Sequence, residues 1–422
     1  MLSFAAACRA DNESPPPDPT PPPATPEISP EQAGPDSVTL RWVVGGREAH
    51  LYYRPLIAAY KEIAPHVTIE IVDLGANDWN VVAQTHLVSE HEYDMINIYD
   101  IYGYMMHVNA GLLYPLDDFA ASRDITVSDY KGIPEQFVMD GNFYALPFMC
   151  DFWVVFYNKD LFDEAEIDHP NNQMTFEVWV EKIKDVTQDR GNYKIRGNYF
   201  DQLRSTITLF GILDGIHTVN DGNYDFLLPY YEAFLELEDG DYIQPVFSFE
   251  QDRRRFFPFW QTGTIAQVNT STNNTTGSVR ADFNWGIASY PVPTSSDHGN
   301  TFGQVTQLAI PRSAKHPEEA MDFIAFVSGA QGAQIIASTS RIPLMMTEEA
   351  LDRLIETGRF PGDETTRVAL SPRKIFLEQP LGEFAEDIDL ILTDIHLNII
   401  SREVSIEDGI TLMNERVRAV LH

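Results

Sequence analysis

The amino-acid sequence predicts an α/β fold, and three features near its start carry that prediction. Val38 to Val44 (VTLRWVV), Val67 to Val72 (VTIEIV) and Tyr93 to Tyr99 (YDMINIY) read as strands. Between them, Glu48 to Ala64 places Leu51, Leu56, Ile57, Tyr60 and Ile63 at helical spacing before Pro65 stops it, and Asp78 to Glu90 makes a second helix. Regular alternation of strand and helix implies parallel pairing through right-handed crossovers. Ligands of such sheets sit beyond the carboxyl ends of the strands, here Gly45-Gly46-Arg47-Glu48 and Tyr99-Asp100. The glycine pair lacks the full G-x-G-x-x-G spacing of a dinucleotide site.

Composition narrows the function. With 422 residues, 44% of them hydrophobic, the chain can bury a large core and should form about two domains. A net charge of -34 argues against nucleic acid and anionic membrane surfaces, which need a basic face, and describes a solvated acidic surface. No apolar run reaches the roughly 18 residues of a membrane span. Cys8 and Cys150 lie in such different settings that a mutual disulfide is not expected, and His107, His217 and His298 are scattered singly, so no metal or cofactor is expected.

The most informative stretch is Gly141 to Ala165 (GNFYALPFMCDFWVVFYNKDLFDEA). A Gly-Asn turn leads into a short strand ending at Pro147, an apolar strand from Phe152 to Tyr157, and a helix opened by Asn158-Lys159-Asp160. A run this apolar reads as strand buried on both faces, yet it holds Asp151. An ionisable group there is costly unless something satisfies it. Either a ligand meets Asp151 or an arginine pairs with it.

Other segments read as structure. Pro317 to Ser328 opens with proline and two glutamates, a helix start, and Ser405 caps a last helix with Ile406, Ile410, Met413, Val417 and Leu421 on one stripe. Asp221-Gly222-Asn223 is a turn, Trp260 and Trp285 are core, and Arg253-Arg254-Arg255 is a solvated face. At the N-terminus, MLSFAAA, Cys8 and a spacer containing PPPDPTPPPATP resemble the end of a bacterial lipoprotein signal, with lipidation at Cys8; an incidental apolar start is the alternative. The prolines then make an extended tether.

Several motifs in order resemble the extracellular solute-binding proteins of family 1, the maltose-binding-protein-like sugar receptors of ABC importers. They are PHVTI at Pro65 to Ile69, Asp94 to Ile98, Gly111 to Leu116, the run Gly141 to Phe162 ending YNKDLF, the Phe176-x-x-Trp179 helix, Gly263 to Ala266, Trp285 to Pro293, and Ala309 to Phe326 followed by Pro343. The resemblance covers nearly all of Val38 to Leu421. It implies a two-lobed, type II periplasmic-binding-protein-like fold, each lobe a sheet flanked by helices, joined by hinge crossover strands at Phe148 to Phe156, Thr301 to Ile310 and Arg341 to Met346. Residues 38–147 and 301–343 would form lobe 1, 148–300 and 344–422 lobe 2, with 1–8 a residual signal and 9–37 the tether.

By the same resemblance the function is reception of a sugar or oligosaccharide in an interlobe cleft, delivery to a membrane permease, and no catalysis. A setting outside the cytoplasmic membrane, anchored through Cys8, as a monomer, completes the expectation. Sugars need aromatic faces for their C–H surfaces and fixed donors and acceptors for their hydroxyls. Asp151 is the leading candidate. Arg47 and Glu48, Tyr99 and Asp100, Trp153, Tyr199, Phe200 and Asp201, Asn269 and Thr270 after a strand Thr264 to Val268, and Gly303 and Gln304 complete the set, with Trp153 equally readable as core. After Val268 many family members place a stacking tryptophan where this chain has Asn269 to Asn274, so a smaller or more polar glycan is implied. The alternatives are the same fold with a polyamine, peptide or phosphorylated polyol, or a secreted glycan-active enzyme. No G-x-x-x-x-G-K-[ST] loop is present, so ATP hydrolysis belongs to a separate subunit.

Overall fold

The computed structural model describes residues 37–46, 49–75, 77–89, 92–247, 256–274 and 281–422. Cys8 with its Pro-rich tether, Arg47, Glu48 and the Arg253–Arg255 run lie outside them. β1 (Val38–Val44), β2 (Val67–Asp73) and β3 (Met95–Ile98) pair in parallel in the order β2-β1-β3, with the helices Ala49–Ile63 and Trp79–Leu87 as crossovers. β3 is shorter than expected because Asp94 and Asp100 are taken up outside the strand. Asp94 accepts from the Arg41, Lys315 and His316 backbones, and Asp100 caps the next helix.

The two strands expected on either side of Pro147 are one. β4 (Ala145–Asn158) runs unbroken, with a register shift between Pro147 and Met149 that accommodates the missing N–H of the proline. Asn158 then caps the helix Lys159–Glu164 through its side chain. A small β5 (Gln188–Asp189) and β6 (Lys194–Ile195) hairpin follows, then β7 (Gln267–Ser271) and β8 (Trp285–Ser289), which flank the second half of β4. β9 (Asn300–Ala309) returns antiparallel along the first half of β4 to reach β3. β10 (Lys374–Leu377) pairs with the start of β9.

β4 and β9 therefore carry the chain between two packed regions. One apolar core gathers β1 to β3 and the helices Pro317–Ser328 and Ala330–Ser338. The other gathers the helices Phe176–Val186, Ser205–Ile212, Leu228–Asp239, Ala385–Ile400 and Ile406–Leu421. Side-chain alternation lets β4 serve both, with Val154 and Phe156 in the first and Trp153, Val155 and Tyr157 in the second. Ser405 caps the last helix as expected, through the Asp408 N–H, and Ile410, Met413 and Val417 are buried. Trp260 is fully buried; Trp285 is only partly so, between Phe156 and Phe360.

Candidate functional site

The crossing strands bring Asp151 to the wall of a cavity of about 190 Å³. Asp151 stands opposite Gln304 in the β4–β9 ladder, and the segment after Arg341 closes on it from the far side, with Cys150 N donating to Ile342 O and Leu344 N to Phe148 O. Arg341 lines the same cavity. Its guanidinium stacks on the Tyr52 ring at 4.3 Å and donates to the Tyr52 hydroxyl at 2.9 Å, while its Nε is buried without a partner. No N···O distance of 4.0 Å or less joins Arg341 to Asp151, so the arginine pairing is not made; both side chains line one space. Burial raises the Asp151 carboxyl above the ordinary carboxylate range, tempered by the Arg341 charge and a 3.4 Å hydrogen bond from Thr272.

Tyr99 forms the next wall. Its hydroxyl is committed to the protein, accepting from Asn97 at 2.9 Å and from Gly45 N at 3.1 Å, which holds the side chain in a fixed position. Asn97 is itself fully buried, holding Tyr53 and held by the Trp42 indole. Asp100 caps the helix Ile101–Asn109, accepting from Gly103 N at 2.7 Å and from Asn80, which fixes Asp100 and occupies its oxygens.

Beyond Tyr99 lies a second cavity of about 140 Å³, lined among others by Tyr99, Asp100, Tyr102, Gly303, Gln304 and Glu378. Arg204 and Asp389 line it too, and Arg204 binds Asp389 through Nε and donates to Gln379 Oε1 at 2.8 Å. Glu378 accepts from the Trp153 indole at 2.9 Å, and burial raises its carboxyl. Among the described residues, no group of three or more His, Cys, Asp or Glu could hold a metal ion.

The model of the bacterial extracellular solute-binding proteins matches residues 48–334. A sugar transporter from Rhizobium etli, solved in an open conformation, is 34% identical, with a TM-score of 0.87, over 91% of this chain and 100% of that one. This chain belongs to the bacterial extracellular solute-binding proteins. Its fold is also that of the sugar-binding protein of Xanthomonas citri (16% identity, TM-score 0.76, 91% of this chain and 97% of that one). An ABC substrate-binding protein from Listeria monocytogenes in complex with cycloalternan is similar as well (16%, 0.71, 92% and 99%). None of the curated proteins compared by sequence matches. Solute-binding proteins of this family are receptors, not enzymes.

In this solute-binding protein the residues named from sequence divide. Tyr99, Asp100, Asp151, Gly303 and Gln304 line the paired cavities. Trp153 is buried against Phe302 and acts through Glu378, the core reading with a polar handle. Phe200 does not face the cleft: its ring packs edge-on against Trp179 and Phe234 in the second core. Tyr199 stacks on Phe259, and neither it nor Asp201 lines either cavity. Asn269 and Thr270 lie inside β7 rather than on a loop after it. Asn269 is buried, accepting from Asn198 at 2.8 Å and reaching the Tyr290 hydroxyl. The strand starts later than Thr264 because the β4 ladder begins at Gln267.

Sequence reasoning missed Tyr52, Tyr102, Arg204, Arg341, Glu378 and Asp389. Only Arg341 had a signal, its place at the start of the third crossing. A wider groove of about 800 Å³ runs past Lys131, Asp214, Arg373, Lys374 and Phe376, but none of the residues named from sequence as ligand contacts lines it, and its charges are mixed.

Proposed function

We propose that this solute-binding protein is the sugar receptor of an ABC importer, binding its ligand in the paired cavities beside β4 and β9. The observation that carries this is the hinge-side cavity, where a half-buried carboxylate, a guanidinium that makes no ion pair and a tyrosine with a fixed hydroxyl converge on crossing strands. Hydroxyls can satisfy both charges, and a ring face can pack on Tyr99. The chain acts as two lobes, expected from sequence as residues 38–147 with 301–343 and 148–300 with 344–422. Two lobes are supported by the two cores and by the strands that link them, but the boundary at 344 is not: Leu344, Leu351, Leu354, Leu370, Ile375 and Leu377 pack in the first core. Closure of the lobes adds contacts that the open form lacks, so ligand shifts an open–closed equilibrium by its differential affinity. The closed form docks on a membrane permease driven by a separate ATPase, and a lipidated Cys8 holds the monomer at the outer face of the membrane.

A panel of mono- and oligosaccharides, read by thermal stabilisation and small-angle scattering, tests the receptor reading. The cognate sugar raises Tm and compacts the particle; a panel that does neither refutes it. Labelling of full-length protein by a fatty-acid analogue, lost in Cys8→Ala, tests the anchor; labelling that persists in the variant refutes it.

A further inference from the structure

The cavity beside Asp151 and the cavity beside Gln304 are separate spaces that share one lining residue, Tyr99. At about 190 and 140 Å³, each falls short of the roughly 300–1,000 Å³ of ligand pockets, and only the two together reach it. The two halves also offer different chemistry. In the hinge half, Asp151 and Arg341 line one space without pairing, and Arg341 Nε is a buried donor with no acceptor. A buried unpartnered donor calls for an oxygen from elsewhere. Neighbouring hydroxyls of one sugar ring supply it, donating to the carboxylate and accepting from the guanidinium.

In the outer half the acceptors are Glu378 and Asp389, and each is positioned by a buried residue. The Trp153 indole fixes Glu378, and Arg204, itself anchored by Gln379 Oε1, fixes Asp389. Gln304 on β9 and Tyr102 on the facing helix complete that space, and Tyr102 remains a neutral phenol because burial and the nearby Asp389 raise it. Acceptors held by buried partners are preorganised, so a ligand does not have to order them on binding.

We propose that Glu378, Asp389, Gln304 and Tyr102 form a second, outer subsite, so that the ligand is an uncharged saccharide of at least two rings, with its end ring between Asp151 and Arg341. This rests on the sugar-receptor reading above. The outer half disfavours an anion: it presents Glu378 and Asp389, and Arg204, the one cation among its described lining residues, is already paired with Asp389. The aromatic platform missing after Val268 is replaced from the other side of the cleft by Tyr99.

Isothermal titration of the full chain with glucose, galactose and mannose, and with maltose, cellobiose, lactose and mannobiose, tests the inference. At least one disaccharide should bind thirty-fold or more tighter than its own monosaccharide. Gln304→Ala and Glu378→Gln, the latter keeping an oxygen for the Trp153 indole, should each reduce that preference about tenfold. Asp151→Asn should weaken both sugars together. Equal affinity for one and two rings, or a preference untouched by both outer variants, overturns the second subsite and leaves the sugar-receptor reading intact. Binding of spermidine with no sugar bound by any variant or by the wild type overturns both.

Discussion

Replacing Gly303 with alanine probes the cleft where β4 and β9 approach most closely. Gly303 lies in β9 with Phe152 of β4 on one side and Leu377 of β10 on the other, so the strand cannot slide away from either. A Cβ at this position would stand 2.2 Å from the Asp151 carbonyl oxygen and 2.8 Å from the Phe152 Cα. Both are backbone atoms that no change of rotamer withdraws, and ordinary contact begins only at 3.4 Å. Overpacking costs about 1–3 kcal/mol, and a required backbone shift puts Gly303→Ala at the upper end, about 3 kcal/mol. At about 2 °C per kcal/mol, the low end for chains of 150–250 residues, calorimetry should show Tm lowered by about 6 °C. The strand that must give way, β4, carries Asp151, so affinity for the cognate sugar should fall about tenfold as well, a change of about 1.4 kcal/mol. Gly362, which has nothing within 4 Å of its would-be Cβ, is the control, and Gly362→Ala should melt within about 1 °C of wild type. Wild-type Tm and affinity in Gly303→Ala would refute the close approach of the two strands.

Asp151→Asn should raise the Tm of the ligand-free protein at pH 7, because a carboxyl raised by burial stabilises the fold only while protonated. That stability is present below the unfolded value, about 4, and is lost as pH rises through the folded one, so the Tm difference between variant and wild type should shrink on acidification from pH 7. A difference constant with pH contradicts the assignment. Trp153→Phe leaves the buried Glu378 carboxyl without its indole donor; chemical denaturation should show a loss of about 1–3 kcal/mol, and an unchanged midpoint contradicts the contact. Cys150 is buried, and burial raises its thiol well above the ordinary value, so peptide mapping should find it alkylated by iodoacetamide only in denaturant. Alkylation in the native protein contradicts this.

Local signals were enough for the elements. The boundaries of Val38–Val44 and Pro317–Ser328 match the expectation because alternation, a proline and acidic residues at a helix start act within a few residues. The third strand and the Pro147 break were misjudged for the opposite reason. Asp94 is taken up by backbone N–H groups from residues far along the chain, and a bulge absorbs the proline inside a longer ladder. Phe200 was placed at the ligand because aromatic residues beside an aspartate suit sugars; packing against Trp179 and Phe234 decided otherwise.

Asp151 could be singled out from sequence alone, since a carboxylate in an apolar strand is anomalous wherever it occurs. By itself the sequence determined the α/β class, the family motifs and that one anomalous acid, all of which are properties of neighbours along the chain. Only the tertiary structure decided what Asp151 faces and what surrounds it. Arg341, Glu378 and Asp389 reach the cleft from segments hundreds of residues away, through pairs such as Arg204 with Asp389, 185 positions apart. Such pairs leave no local pattern, because the free energy that selects them arises only when the crossing strands have closed the space between them.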